Sequence, residues 1–318
     1  MTETGLRRFA WFNLVYNLGV IVWGAFVRAT GSGAGCGEHW PLCNGVVVPR
    51  EASVATLIEL THRLTSGMAL ILVIILVIWA RRLYAKGAPA RLGAHLSLGL
   101  MIVEALLGAG LVLFGLVDDN ATVARAFAMM LHLVNTLLLV AAISLTAWWA
   151  SGGPPIQLRG HGVLGTMIFV GLAAMLVLGA SGAIAALGDT LFPAGSLREG
   201  IAQDFHPTAH FLLRLRILHP LIAIGTGIYL VFLAITAAVA RRGRRVKIAA
   251  GSLVLLFLIQ LVIGVVNLLL LAPVWLQLVH LLAADLVWIS LIFLSASALA
   301  VEDAPAEEVA LQAAEAAI

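Results

Sequence analysis

Eight long apolar stretches divide this sequence, and they constrain its fold more than any other feature. A hydrocarbon core about 30 Å thick needs roughly 20 apolar residues per helical span. Only 11% of the 318 residues are charged, against about 25% in an ordinary soluble domain. The stretches do not alternate polar and apolar residues as membrane β-strands do. We therefore predict an all-α, multi-pass membrane protein. The predicted spans are 9–29, 57–80, 92–116, 126–149, 162–187, 212–240, 246–272 and 274–300.

Lysine and arginine residues concentrate in the connections after the second and sixth spans. Cytoplasmic loops of membrane proteins are enriched in these residues. Because the number of spans is even, we predict that both termini also face the cytoplasm, with the chain in the cell membrane. The net charge of +3 then reflects topology and does not indicate a nucleic-acid partner. The basic residues are Arg81, Arg82, Lys86 and Arg91, then Arg241, Arg242, Arg244, Arg245 and Lys247.

The second half of the sequence repeats the order of polar residues in the first half. Each half has a span with a histidine, a basic loop, a span with one acid or amide, and a span with another histidine. His62 precedes Glu104 by 42 residues, and His219 precedes Gln260 by 41. We predict two four-helix bundles related by a pseudo-twofold axis along the membrane normal. The predicted units are residues 1–152, residues 153–301 and an acidic cytoplasmic tail at 302–318.

Four of the nine histidines lie at one depth, near the outer ends of the even-numbered spans. One such histidine could simply bond a neighbouring helix, but four in a repeated pattern indicate a binding role. Imidazoles from two facing helices can hold a haem iron from both sides. Zinc is disfavoured because neither half offers a third or fourth ligand at suitable spacing. The predicted pairs are His62 with His132 and His219 with His280.

A carboxylate stands one helical turn before the first of these histidines. Glu59, His62, Arg63 and Ser66 share one helix face because residues three and four apart are neighbours. A carboxylate near the membrane boundary is costly unless it is paired or functional. Two interpretations stay open. Glu59 either pairs with Arg63 for stability, or acts on a substrate at the first histidine pair while Arg63 contacts an anionic group.

The second half differs beside its first histidine. Arg214 and Arg216 precede His219, and the local sequence places no carboxylate beside them. We therefore predict that the first bundle is catalytic and that the second bundle supports it.

The two cysteines of the chain, Cys36 and Cys43, both lie in the first outer loop. Thiols outside the cytoplasm can be oxidised, and a step of seven residues containing glycine and proline can fold back into a disulfide. Such a bond could be a stabilising crosslink or a redox-active pair above Glu59 and His62.

Taken together, these features resemble the haem A synthase family over essentially the whole chain. The resemblance is carried by the Glu59-x-x-His62-Arg63 motif, the repeated histidines and the loop. That loop runs through Gly31-Ser32-Gly33, Cys36, Trp40-Pro41 and Cys43-Asn44-Gly45. The resemblance implies oxidation of the C8 methyl of haem O to a formyl group, through successive hydroxylations, giving haem A for terminal oxidases. It also implies membrane lipid, haem O synthase and the oxidase assembly machinery as partners.

The same resemblance implies a role for each candidate residue. Glu59 would be catalytic, and Cys36 and Cys43 would form a redox-relevant disulfide. His62 and His132 would face the substrate haem, whose propionates would lie near Arg63 or its second-half counterparts. His219 and His280 would ligate a permanent haem b. Some family members have a second cysteine pair in the outer loop at 188–211, which this chain lacks, so an electron route through that loop is not implied.

Two other functions fit paired histidines. A di-haem b membrane electron carrier needs only the ligands, and Glu59 would then be idle. A haem transporter would need an alternating pathway with broken helices, and Pro220 beside His219 is the one feature that favours it. Formation of the formyl haem would distinguish these functions from the synthase.

Overall fold

The structure is a computed structural model that describes residues 2–157, 159–241 and 243–300. These residues form ten helices and no strand, and eight segments are long and apolar enough to cross a membrane. The prediction of an all-α, multi-pass membrane protein is confirmed. Arg242 and the acidic tail at 302–318 lie outside the described residues. The helices are α1 Glu3–Ala29, α2 Val54–Leu83, α3 Pro89–Leu113, α4 Val123–Ala150, α5 Gly162–Leu191, α6 Leu197–Asp204, α7 Phe211–Arg216, α8 Leu218–Ala240, α9 Arg244–Leu269 and α10 Val274–Ala298.

The sixth span is interrupted, although the sequence predicts one continuous helix over 212–240. Helices α7 and α8 together form this span, and the helix breaks at Ile217. Pro220 explains the break, since proline has no N–H to donate and its ring clashes with the carbonyl four residues earlier, here that of Arg216. His219 therefore stands in the first turn of α8. The short helix α6 in the preceding connection is a further element that hydropathy does not predict.

Helices α4 and α10 form the centre of the bundle. Half of the residues in their apolar windows are buried, against 11–33% in the other six spans. The indole Nε1 of Trp288 in α10 donates to the carbonyl of Leu137 in α4 at 2.7 Å, and α1 and α5 pack against both helices. The fourth spans of the two predicted halves therefore meet in the core. The division at residues 152 and 301 stays a prediction.

The two ends of the bundle differ in their connections. One end, called the disulfide end because it holds the bonded Cys36 and Cys43, contains the connections at 30–53, 114–122, 192–210 and 270–273. The other, called the basic end, contains the described residues of the connections at 84–88, 151–161 and 241–243. At the disulfide end α1 stops at Ala29, and Gly31 reverses the chain with φ of +63°. Ser53 then caps α2 by accepting a hydrogen bond from the Thr56 N–H at 3.1 Å. The cysteine-bearing loop is thus anchored between two well-defined helix ends.

Candidate functional site

Each of the four histidines lies against a glycine of the span that precedes its own. A Cβ atom added at Gly24, Gly182 or Gly264 would lie closer to the imidazole Cε1 than ordinary van der Waals contact, so glycine leaves room for the ring at these three positions, whereas at Gly108 the contact would be an ordinary one. The same contact occurs in both halves. In each of the four helical hairpins, a glycine of the first helix faces the histidine of the second helix. The added Cβ would lie 2.9 Å from His62 at Gly24, 3.9 Å from His132 at Gly108, 3.2 Å from His219 at Gly182 and 3.0 Å from His280 at Gly264.

His219 and His280 face each other in the second half. Their ring centroids are 6.4 Å apart and their planes are 84° apart. Two imidazoles on opposite sides of one metal, with metal–nitrogen bonds of roughly 2 Å, would have ring centres about 6 Å apart. The Ser181 hydroxyl lies 2.9 Å from Nδ1 of His219, which leaves Nε2 of that ring for a metal. The buried Nδ1 of His280 has no hydrogen-bond partner among the described residues. These two side chains fit the axial ligand set of a haem iron.

His62 and His132 are the corresponding residues of the first half, and both side chains are partly buried. Nδ1 of each ring is buried without a hydrogen-bond partner among the described residues. Glu104 Oε1 lies 3.6 Å from Nδ1 of His132. Asn135 donates to Glu104 Oε2 at 2.6 Å, and Thr136 donates to its Oε1. The carboxylate is therefore held in place beside the imidazole.

Gln260 occupies the corresponding position beside His280. Its Nε2 donates to the His280 carbonyl at 3.0 Å and lies 3.4 Å from Nε2 of the ring. The matched spacing in the sequence thus corresponds to a matched contact in the structure. The two halves differ chemically beside these histidines, because the first half has the acid Glu104 where the second half has the amide Gln260. Hydrogen-bonding groups next to a ligating histidine change its strength as a ligand.

Glu59 is buried, with 3% of its surface exposed. Its Oε1 is paired with Arg63, whose Nε donates at 3.0 Å, and its Oε2 accepts a hydrogen bond from the Cys36 backbone N–H at 2.8 Å. The pairing with Arg63, one of the two predicted interpretations, is therefore present. The catalytic role of Glu59 stays a prediction.

Arg63 ties the disulfide loop to α2. Its Nη1 donates to the carbonyls of His39 at 2.6 Å and Leu42 at 2.8 Å, while Nε and Nη2 bond Glu59. Most of its N–H groups are therefore engaged within the protein. The predicted contact between Arg63 and an anionic group of the substrate stays a prediction.

Cys36 and Cys43 form a disulfide, as expected. Both side chains are almost fully buried, with exposures of 0% and 1%. The Asn44 N–H donates to the Cys36 carbonyl at 2.9 Å, and the Thr56 hydroxyl donates to the Gly35 carbonyl at 2.7 Å. The crosslinked loop thus packs directly on the helix that carries Glu59. This packing supports a stabilising role, and a redox role stays a prediction.

The expectation that no carboxylate stands beside the arginines of the second half was wrong. Arg216 pairs with Asp189 at 2.8 Å and with Asp204 at 2.5 Å. These acids come from α5 and α6, 27 and 12 residues before Arg216, so the residues directly beside Arg216 in the sequence could not reveal them. The difference between the halves therefore lies in where the carboxylates originate, since Glu59 lies on the same helix as its histidine.

Sequence reasoning missed several residues around the histidines. Gly24 and Gly182 were not singled out, although their separations from His62 and His219, 38 and 37 residues, repeat as closely as those of the polar residues. That repetition is the signal that could have found them. Ser181 beside His219 carries no such signal, because its first-half counterpart is not a hydroxyl residue.

The fold and the site define a multi-pass helical membrane protein with two pairs of intramembrane histidines, each backed by glycine. Residues 7–292 match the model of the COX15-CtaA family, described as cytochrome oxidase assembly protein. Because this match covers most of the chain, the protein belongs to that family.

Several curated proteins are similar to this chain. A Thermus thermophilus protein named protoheme IX farnesyltransferase is 52% identical over 261 residues, 82% of this chain and 43% of that protein. A Heme A synthase of Geobacillus kaustophilus is 38% identical over 143 residues, 45% of this chain and 43% of that protein. A Heme A synthase of Shouchella clausii is 42% identical over 114 residues, 36% of this chain and 38% of that protein. The chain therefore spans less than half the length of each of these relatives.

Proposed function

We propose that this protein is a haem A synthase, which oxidises the C8 methyl of haem O to a formyl group. The observation that carries the proposal is the pair of histidine sites, each packed on glycines, with a buried carboxylate one helical turn from His62. Membership of a family of cytochrome oxidase assembly proteins and similarity to proteins named Heme A synthase support it.

The first histidine pair would hold the substrate. His62 and His132 would bind haem O from two helices, and Glu104 would orient the His132 ring. Conversion of a methyl to a formyl group with an oxygen atom from water releases four protons and four electrons, and an external electron acceptor would have to take up these electrons. Glu104 is engaged by Asn135, Thr136 and His132, whereas Glu59 lies one helical turn from His62, so Glu59 would accept protons or stabilise positive charge that develops on the carbon. Its bond to the Cys36 N–H and its pairing with Arg63 would fix its orientation.

The second pair would hold a resident haem b. His219 and His280 are the ligands, Ser181 fixes the orientation of the His219 ring, and Gln260 contacts the His280 ring. When bound, this haem would supply one-electron transfer. An enzyme with this arrangement belongs to the oxidoreductases.

Partners follow from the chemistry of the substrate. Haem O carries a farnesyl group, so a haem O synthase must supply it, and haem A is consumed by the machinery that assembles terminal oxidases. The Thermus relative is named for transfer of a farnesyl group to protohaem. This chain matches 43% of that protein, and we do not assign the transfer reaction to it. The lipid bilayer would admit the apolar substrate from the side.

We infer that the protein lies in the cell membrane with its basic end and both termini in the cytoplasm, because the basic connections concentrate there. A compartment-dependent reporter fused after Lys86 should report the cytoplasm, and the same reporter after Asn44 should report the opposite side. Equal readings at the two positions would contradict this orientation.

Product formation tests the function directly. Cells that make haem O but have no haem A synthase of their own should accumulate haem A when they express this chain. Extracted haems would be separated by chromatography and the formyl product identified by mass spectrometry, with an empty vector as the control. Haem in the purified protein without any haem A in these cells would instead favour the electron carrier or the transporter.

A further inference from the structure

Arg28, the penultimate residue of α1, connects the first half of the chain to the second. Its Nη1 donates to the Ala186 carbonyl at 2.7 Å and to the Thr190 hydroxyl at 2.6 Å, both in α5. Its Nη2 donates to Oε1 of Gln277 in α10 at 2.9 Å. Gln277 is itself oriented, because its Nε2 donates to the Ala272 carbonyl at 2.6 Å. The guanidinium is therefore held at a fixed place between the two halves.

This place lies one helical turn from both histidine sites, towards the disulfide end. Gly24, which packs against His62, precedes Arg28 by one turn on the same face of α1. In the second half, the acceptor Ala186 lies one turn beyond Gly182, which packs against His219. The acceptor Gln277 lies three residues before His280. A single cation thus stands beside both candidate haem sites.

The charge of Arg28 has no partner within ion-pair distance among the described residues. Its three acceptors are uncharged oxygens. Asp189 interacts with it electrostatically, but the Asp189 carboxylate is bonded to Arg216 at 2.8 Å. A partly buried cation at the membrane boundary is costly unless an anion balances it. Arg216 also pairs with Asp204 at 2.5 Å, so Asp189 contributes to this balance without bonding Arg28. An anionic ligand bonded to Arg28 would balance its charge directly.

Hydrogen-bonding capacity also remains on the guanidinium. An arginine has five N–H donors, and the three bonds of Arg28 leave its Nε–H and one Nη2–H without a partner in the part of the chain that the structure describes. Nε and Nη2 lie on one edge of the planar group. This edge is suited to binding a carboxylate through two parallel hydrogen bonds.

We propose that Arg28 binds a propionate carboxylate of a haem held by the neighbouring histidines. The inference rests on the proposed haem sites and adds a binding residue to them. Propionates are the only charged groups on the rim of a haem, and they must point away from the hydrocarbon core, which here means towards the disulfide end. The carboxylate could belong to haem b or to haem O, since the two share this chemistry.

Arg63 is the less suitable residue for this role. Four of its five N–H donors are bonded within the protein, two of them to Glu59 and two to the carbonyls of His39 and Leu42. Its charge is balanced by that of Glu59. Arg28 has no carboxylate within ion-pair distance and two N–H donors without a partner in the described part of the chain, so a propionate would gain more by binding it.

Two substitutions test the proposal. Arg28→Gln removes the charge, and we expect the purified protein to retain roughly tenfold less haem, because hydrogen bonds to a charged group are lost. The haem that remains should have a lower midpoint potential, since a nearby cation stabilises the reduced and more negative form. Gln277→Glu keeps Arg28 but gives it an internal carboxylate, which should compete with the propionate and also lower retention. Arg198→Gln is the matched control, because Arg198 is an exposed arginine of α6 at the same end.

The source of the carboxylate is identified in two backgrounds. With His132→Leu only the second pair can bind haem, and with His219→Leu only the first pair can do so. A loss of haem caused by Arg28→Gln in the first background assigns the propionate to haem b, and a loss in the second assigns it to haem O. Haem content would be measured by the pyridine haemochrome spectrum and the potential by redox titration.

A purely structural role for Arg28 gives a different result. Gln277→Glu would then strengthen the link between the halves and leave haem content unchanged, and this outcome would overturn the proposal even if Arg28→Gln fails to accumulate. Unchanged haem content and potential in both variants would overturn it as well. If the Arg28 and Gln277 variants are unchanged but the histidine variants lose haem, the proposed haem sites are still supported and only the proposed role of Arg28 is wrong.

Discussion

Replacing Glu59 with glutamine is expected to lower the conversion of haem O to haem A on the order of a hundredfold or more, while the protein still folds and binds haem. The amide keeps the shape of the side chain and can still accept the hydrogen bond from Cys36. It cannot accept a proton or stabilise positive charge. Conversion would be measured by chromatography of extracted haems, normalised to the amount of protein in the membrane.

The ion pair with Arg63 makes a stability control necessary. Breaking a buried pair by removing one charge can cost about 3–5 kcal/mol, so Glu59→Gln could also lower the melting temperature. Thr56→Val is a matched control because it removes another tie between α2 and the cysteine loop, the 2.7 Å bond to the Gly35 carbonyl, without changing a charge. It should lower stability while sparing turnover. Near-normal conversion by Glu59→Gln would remove the carboxylate from the mechanism and favour the electron carrier.

Replacing either His219 or His280 with leucine is expected to abolish the low-spin absorption of a six-coordinate haem b. The two rings face each other across 6.4 Å, so each would supply one axial bond, and leucine can supply neither. The measurement is the reduced-minus-oxidised spectrum of the purified protein.

The matched control is His95→Leu. His95 also lies in a membrane span, but it is exposed and its Nδ1 is bonded to the Arg91 carbonyl at 2.6 Å. This variant should keep the full spectrum. Low-spin absorption that survives in both the His219 and the His280 variants would contradict the ligand pair and would leave the second half without a defined cofactor site.

Much of the fold could be predicted from hydropathy alone. A membrane-spanning helix must satisfy its backbone hydrogen bonds within itself and be apolar along about 20 residues, so the spans are local properties of the sequence. The break at Ile217 is also local in origin, because it follows from Pro220. It was missed because hydropathy does not register the loss of a backbone donor.

The candidate site was predictable to the extent that it repeats. Four histidines at matched positions predicted the pairs. The matched spacing of Glu104 and Gln260 was a sign of the repeat, and their contacts with His132 and His280 were not predicted. The repeat could not say what either pair binds. That step depended on the resemblance to a known family, and the residue roles stay predictions.

By itself, then, the sequence determined the number of spans and the helical class, since both depend on residues close together in the chain, and it predicted one common depth for the four histidines. Only the tertiary structure decided which charges are balanced. Arg216 finds its acids on α5 and α6. Arg28 bonds Ala186 and Gln277, which lie 158 and 249 residues away in the chain. Contacts of this kind depend on how helices pack across the bundle, and no local pattern encodes that packing.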